Sequence, residues 1–249
     1  LWRYIRVPQV DWLRELRPHT SYGASYGLTN RLKETTHLHM DTHAVWENGA
    51  LLSPATDWIY DRLTEPLLLA TGVNDEGERT FVEVEVGEYS GWLFNPRYQT
   101  STQVPIVWNT TFAIGHFFSG TQRGVNTQVS FQLGGSLSGD LGLEHNRIEL
   151  PGPAGRFDAT LVSARVGYSF NPSLYIQSLV QYNNQTEVWS GNFRFGWIDT
   201  AGTGLFVVYN ERQGERLAGL YDGLLERTVS IKFSRQLDMA GIRRDRFGQ

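Results

Sequence analysis

Three of the chain's six histidines lie within seven residues, in the stretch Glu34-Thr-Thr-His-Leu-His-Met-Asp-Thr-His-Ala-Val-Trp46. His37, His39, Asp41 and His43 fall at odd positions together with Lys33 and Thr35; Leu38, Met40, Thr42, Ala44 and Trp46 fall between them. Imidazole nitrogens and carboxylate oxygens are ligands for zinc-like ions. Residues i and i+2 of a strand stand about 6.7 Å apart, and two imidazoles can close on one ion at about 2.1 Å. His37, His39 and Asp41 are therefore a geometrically possible metal site. A hydrated polar wall is the simpler reading, since water solvates His, Asp, Lys and Thr alike and Lys33 adds a cation to the same face. On sequence alone no metal and no cofactor is assigned.

His19 and Ser21 pose a second question, because a base and a hydroxyl on one strand face can form a nucleophile pair. No third residue that would orient the base can be named, and the pair shares its face with Glu15 and Arg17. The expectation is a protein without catalytic residues. Glu83, Glu85 and Glu88, with Arg165, Arg194 and Lys232, are charges that can line a pore or pair across one. Asn183, Asn184 and Gln185 offer amides to a sugar but are equally ordinary turn residues.

These side chains need an element that separates odd from even. On a β-strand successive side chains point to opposite faces, whereas a helix would scatter both sets around its circumference. The stretch 34–46 is predicted to be a strand, and the same alternation runs along the chain. Tyr22, Ala24, Tyr26 and Leu28 oppose Ser21 and Ser25; Val82, Val84 and Val86 oppose Glu83 and Glu85. Further strands are expected near 51–63, 101–118, 126–133, 137–144, 162–168, 174–182, 189–197, 205–209 and 229–233. Turns are predicted at Thr29-Asn30, Asn95-Pro96, Gly134-Gly135, Asn171-Pro172, Asn183-Asn184, Thr200–Gly202 and Gln213-Gly214. Longer loops are expected at 65–80, which contains Asn74-Asp-Glu-Gly77, and at 149–156.

That makes about twelve strands, many of ten residues or more, against a mode of about 5–6 in globular proteins. Membrane strands need about 9–11. The polar face is Ser, Thr, Asn, Gln, Gly and His with scattered charges, which suits the interior of a barrel better than the Lys- and Glu-rich outside of a sandwich. Aromatic residues gather near the expected strand ends (Tyr89, Trp92, Phe94, Tyr168, Phe170, Trp189, Trp197, Tyr209), as interfacial girdles do. The fold expected is all-β, an antiparallel transmembrane β-barrel of the outer-membrane type. Its interior is expected to be lined by His37, His39, Asp41, His43, Arg165, Gln177 and Arg194. Leu38, Met40, Trp46, Val166, Ile176, Val180, Phe193 and Phe195 are expected to face lipid.

Composition agrees. The 249 residues are 40% hydrophobic and 13% aromatic, too apolar for a disordered chain, and the length suits one large all-β domain or two smaller ones. No cysteine is present, which excludes disulfides, zinc–thiolate clusters and thiol nucleophiles. A net charge of -4 without a basic groove motif argues against a nucleic-acid partner. No apolar run approaches the roughly 20 residues of a membrane helix, which leaves membrane strands untouched because they alternate.

The C-terminal half carries a family signal. Val162-Ser-Ala-Arg-Val-Gly-Tyr-Ser-Phe170, Leu174-Tyr-Ile-Gln-Ser-Leu-Val-Gln-Tyr-Asn-Asn184, Trp189-Ser-Gly-Asn-Phe-Arg-Phe-Gly-Trp197 and Gly204-Leu-Phe-Val-Val-Tyr-Asn-Glu211 follow one another. This run resembles the end of an uncharacterised family of bacterial outer-membrane proteins that join an N-terminal carbohydrate-binding-like β-sandwich to a C-terminal β-barrel. The resemblance covers about 157–234. It is looser over 12–156, where Leu63-Thr-Glu-Pro66 and Glu144-His-Asn-Arg147 fit. It implies an outer-membrane location and a barrel, over 1–235, with strands upstream of Leu1 left open; it implies no activity. One departure is that Phe233 ends the last strand while a basic tail (Arg235, Arg243, Arg244, Arg246) runs on through 236–249.

The function expected is a porin-like conduit or the membrane anchor of a larger envelope assembly. The partners expected are the lipid bilayer and other envelope chains. The alternatives are a surface glycan-binding module and a barrel-embedded lipid hydrolase.

Overall fold

A computed structural model of the chain describes every residue except 1, 6, 29–31, 74–78, 153–154, 201, 215–222 and 237–249, and, within strands, omits the side chains of 3, 70–73, 79–81 and 200. The described residues form strands and no helix. The strands are β1 Trp2–Arg3, β2 Leu13–Tyr26, β3 Lys33–Trp46, β4 Leu51–Leu63, β5 Leu67–Val73, β6 Arg79–Val84, β7 Gly87–Gln99 and β8 Ile106–Phe117. They continue as β9 Gly120–Leu133, β10 Leu137–Glu149, β11 Arg156–Asn171, β12 Leu174–Asn183, β13 Val188–Thr200, β14 Thr203–Gly214 and β15 Leu224–Ser234.

The fold is all-β and antiparallel. Hydrogen-bonded neighbours follow the order β1-β2-β3-β4-β7-β8-β9-β10-β11-β12-β13-β14-β15, and β5–β6 forms a separate two-stranded sheet. Apart from the two-residue β1, twelve strands of 10 to 16 residues make up the long sheet; the twelve expected from alternation match in number but count the Val82–Val86 stretch, which overlaps β6 of the small sheet, and lack β7. Among the described residues the order ends at β1 and β15, which are not paired with each other. Two compact units are formed: Leu1–Phe131 with Asp140–Ser163 and Tyr182–Glu187, and Gln132–Gly139 with Ala164–Gln181 and Val188–Gln249.

Four expectations are corrected. Gln213-Gly214 is not a turn but the end of β14, where it pairs with Trp189 and Val188. Asn95-Pro96 is not a turn but lies inside β7, where Pro96 stands directly opposite Pro54 of β4. Neither proline has an N–H to give, so facing each other they cost the β4–β7 ladder little and interrupt the ladders on either side. Pairing of β3 with β4 skips from Met40↔Thr56 to Ala44↔Leu52, and pairing of β7 with β8 skips from Phe94↔Ile114 to Arg97↔Thr111. In consequence Trp92 and Phe94 lie along a strand, not at its end; Tyr209 likewise falls within β14. Finally, the segment 65–80 is not a loop: its Leu67–Val73 portion is the first arm of the β5–β6 hairpin, with Leu67 opposite Val84. The turn Thr29-Asn30, the tip Asn74–Gly77 and the tail from 237 onward lie outside the described residues.

In the first unit, cross-strand rows sort the side chains cleanly. Leu38, Trp58 and Trp92 stand side by side on one face, and Ser21, His39 and Asp57 on the other. In the second unit the rows Phe193–Tyr209–Val229, Phe195–Val207–Ile231 and Trp197–Leu205–Phe233 share one face; Asn192–Asn210–Thr228 and Arg194–Val208–Ser230 share the opposite one. Such rows are the packing unit of a sheet.

Burial is inverted relative to an ordinary core. Among the described residues nine hydrophobic side chains are buried, while forty large hydrophobics stand exposed, including Trp92, Trp108, Phe193, Ile231 and Phe233. Among the described residues, Val82 clusters with Ile148 and Phe157, supported by Leu69, Phe117 and Leu150.

Candidate functional site

The histidines of β3 meet their partners on the neighbouring strands. Pairing of β2 with β3 puts His19 opposite Asp41, Ser21 opposite His39 and Arg17 opposite His43. Pairing of β3 with β4 puts His39 opposite Asp57. His37, His39, Asp41 and His43 thus share one face of β3 with His19 and Asp57, and Leu38, Met40 and Trp46 take the other. On that other face Trp46 packs edge-to-face on Tyr98.

Two buried carboxylates organise the site. Asp57, its side chain 6% exposed, accepts from His37 Nε2 at 2.8 Å and from His39 Nδ1 at 2.7 Å on Oδ1, and from Asn95 Nδ2 at 2.6 Å on Oδ2. Asp41, 2% exposed, accepts the Thr42 N–H at 2.6 Å on Oδ1; the Ser53 hydroxyl and His43 Nε2, the latter at 2.8 Å, reach Oδ2.

The proline break explains the second carboxylate. Thr42 falls opposite Pro54, which has no amide hydrogen, in the interval where β3 and β4 do not pair. The Asp41 carboxylate occupies that interval, satisfying the Thr42 amide and tying β3 to β4 through Ser53. Buried polar groups need such partners, and leaving one bare costs about 1–3 kcal/mol.

The rings themselves form a cluster. His19 lies 5.2 Å from His39 and 4.9 Å from His43, centroid to centroid, and His37 lies 6.1 Å from His39. A fifth imidazole joins the same face at Gly91, which pairs with Ile59 beside His37; a Cβ at 91 would stand 2.5 Å from the ring of His116. Only glycine leaves the His116 ring its place there.

Among the described residues, two groups have ligand atoms within 4.8 Å of one another: His19 with His39 and Asp41, and His37 with His39 and Asp57. The sequence-derived set of His37, His39 and Asp41 is therefore split. Residues i and i+4 of a strand stand about 13 Å apart, so His37 and Asp41 cannot share an ion. The missing partner, Asp57, is one of two acidic residues of β4, the other being Asp61. Only its pairing register brings it to the site, and no local pattern marks it.

The other candidates resolve as follows. Ser21 makes no hydrogen bond to His19 among the described residues; His19 Nδ1 instead lies 3.3 Å from the Arg17 carbonyl oxygen. Asn184 and Gln185 are engaged by backbone: Asn184 Oδ1 accepts the Thr160 N–H at 2.6 Å, and Asn184 Nδ2 and Gln185 Nε2 donate to the Asp158 carbonyl at 2.7 and 2.6 Å. Asn183 accepts the Gln185 N–H at 2.8 Å and so closes its own turn. These amides fasten the turn to β11. Glu88 pairs with Arg62.

In the second unit, Gln177 shares a face with Gly167 and Ser138, and Tyr175 shares one with Gly196 and hence with Arg194 by alternation. Arg165 falls on the Gly167 side by the same alternation. Val166, Ile176, Phe193 and Phe195 line a shallow groove of about 420 Å³ with Tyr168, Val207 and Tyr209. Val180 falls on the Ile176 side by alternation.

Compared with known proteins, the sequence matches no family model and no curated protein.

Proposed function

We propose that this chain is a membrane-spanning β-barrel of the bacterial outer membrane that acts without catalysis, as the anchor or scaffold of an envelope assembly. The observation that carries this reading is the inverted burial: among the described residues, forty large hydrophobics are exposed against nine hydrophobic residues buried. Soluble monomers rarely expose contiguous apolar patches beyond a few hundred Å². Within each unit apolar side chains stand in cross-strand rows, such as Trp58 beside Trp92 and Phe193 beside Tyr209. Lipid is the solvent that suits such a face, and strands of 10 to 16 residues meet or exceed the roughly 9–11 that a tilted membrane strand needs. The resemblance of 157–234 to the outer-membrane family supports the same reading.

The β5–β6 hairpin favours an occluded anchor over an open conduit. Ile148 falls by alternation on the side of Asn146, whose side chain abuts the Cβ position of Gly124. Register carries that side through Asn126, Thr111 and Arg97 to Ser53, which binds Asp41. Val82 packs against Ile148 and so sits over the polar face. In a closed barrel that face is the interior, and the hairpin obstructs it.

The test is conductance of the full chain in planar bilayers, beside a variant in which residues 67–84 are replaced by a short Gly-Ser link. The intact chain should carry no steady porin-like current and the shortened one should. A steady open current from the intact chain would instead support the conduit. Failure of either protein to resist alkaline extraction from membranes would remove the barrel reading altogether.

A further inference from the structure

We propose that the polar face of β2 and β3 holds a divalent transition-metal ion of zinc-like softness, with His19, His39 and Asp41 as ligands and Asp57 as the group that positions His39. The first argument is charge. Asp41 and Asp57 are almost wholly buried, and among the described residues neither pairs with Lys or Arg; every charged or chargeable partner of theirs is a histidine. The nearby Arg17 is neutralised by Glu15 at 3.3 Å. Two buried carboxylates without a fixed cation are costly. A single divalent ion balances both.

The second argument is how the rings are held. The Nδ1 of His39 bonds to Asp57 and the Nδ1 of His19 lies by the Arg17 carbonyl, so each ring has its Nε2 left for a further partner. A carboxylate on one imidazole nitrogen with the metal on the other is the recurring outer-sphere arrangement of zinc sites, fixing tautomer and orientation.

Spacing decides between the two groups. Two imidazoles bound tetrahedrally at about 2.0–2.1 Å place their centroids about 5 Å apart. His19 and His39 are at 5.2 Å, whereas His37 and His39 are at 6.1 Å. In the His37 group, moreover, both ring nitrogens already converge on one oxygen of Asp57. With two nitrogens and one oxygen and no thiolate, the set suits Zn²⁺, Co²⁺ or Ni²⁺ better than Ca²⁺ or Mg²⁺. The inference does not depend on the membrane reading.

The experiment titrates the full chain in detergent with Co²⁺, reading the visible ligand-field band, and then displaces it with Zn²⁺. One equivalent should bind, and Zn²⁺ should bleach the band. His39→Gln and His19→Gln, which keep polar side chains of similar size, should abolish it in protein whose far-ultraviolet circular dichroism matches the parent. Asp57→Asn and His37→Ala should both keep the band, Asp57→Asn with affinity weakened by roughly 10–100-fold. Absence of a band at saturating Co²⁺ would overturn the proposal and leave protons as the balancing charge. A band that survives His19→Gln but not His37→Ala would overturn it too, by placing the ion in the other group.

Discussion

The β2–β4 region and the β13–β15 region are built on the same plan, three long antiparallel strands with one apolar and one polar face, yet they treat polar side chains differently. In β13–β15 the rows are regular between the end bulges, and the polar face is Ser, Thr and Asn with exposed charges, such as Arg194 opposite Val208, Lys232 opposite Phe206 and the Arg212–Glu226 pair. In β2–β4 the ladder is broken opposite Pro54, and the break is filled by Asp41 with its retinue of donors. The first region is what alternation alone produces. The second departs from it, with two buried carboxylates each held by matched donors.

The largest effect expected is at Asp57. Asp57→Ala removes the acceptor of three donors, His37, His39 and Asn95, and should cost about 3 kcal/mol or more in urea unfolding from lipid. Ser230→Ala on the polar face of β15 should cost far less. Equal losses would erase the contrast between the regions.

Next comes charge on the apolar faces. Val166→Arg or Ile176→Arg should impair assembly by about 2–4 kcal/mol if these positions lie at mid-bilayer depth, while Ser163→Arg and Gln177→Arg should be far better tolerated. Equal tolerance of both pairs, read as folded fraction on heat-modifiable gel migration, would contradict the assignment of faces.

A smaller effect is expected at Gly91, where alanine would drive a Cβ to 2.5 Å from the His116 ring. Gly91→Ala should cost about 1–3 kcal/mol by overpacking, and His116→Ala in the same chain should recover much of it. Smallest of all is Pro54→Ala. Loss of a proline loosens the unfolded chain by about 0.4–1 kcal/mol, and a restored ladder hydrogen bond returns about 0.5–1.5 kcal/mol. The net change should be near zero, and hydrogen exchange should show the amide at 54 newly protected.

How much of this is legible in the sequence follows from the range of each interaction. Strand existence rests on period-two alternation, a local property, and β2, β3, β4, β6 and β8 to β15 are readable from it. The strand β7 is hidden because Asn95-Pro96 is a strong turn signal in isolation. Only the opposing Pro54, 42 positions away in the chain, makes proline acceptable there. The sugar-like amides Asn183 to Gln185 likewise read as free until the turn is seen fastened to Asp158 and Thr160. The histidine face is legible as a face, but its organising carboxylate Asp57 belongs to the next strand and enters only with the register.

The central claim is that the apolar face meets lipid and the histidine face does not. The natural absence of cysteine makes it directly testable. Single cysteines are placed at Leu38, Met40, Val207 and Ile231 for one face, and at His37, His43, Asn210 and Ser230 for the other, in chains reconstituted into vesicles. Each is treated with a membrane-partitioning maleimide and with a charged water-soluble one. The account predicts that the first four react with the partitioning reagent and resist the charged one, and that the second four react with the charged reagent. Uniform reaction of all eight with the charged reagent would contradict it, since both faces would then be in water.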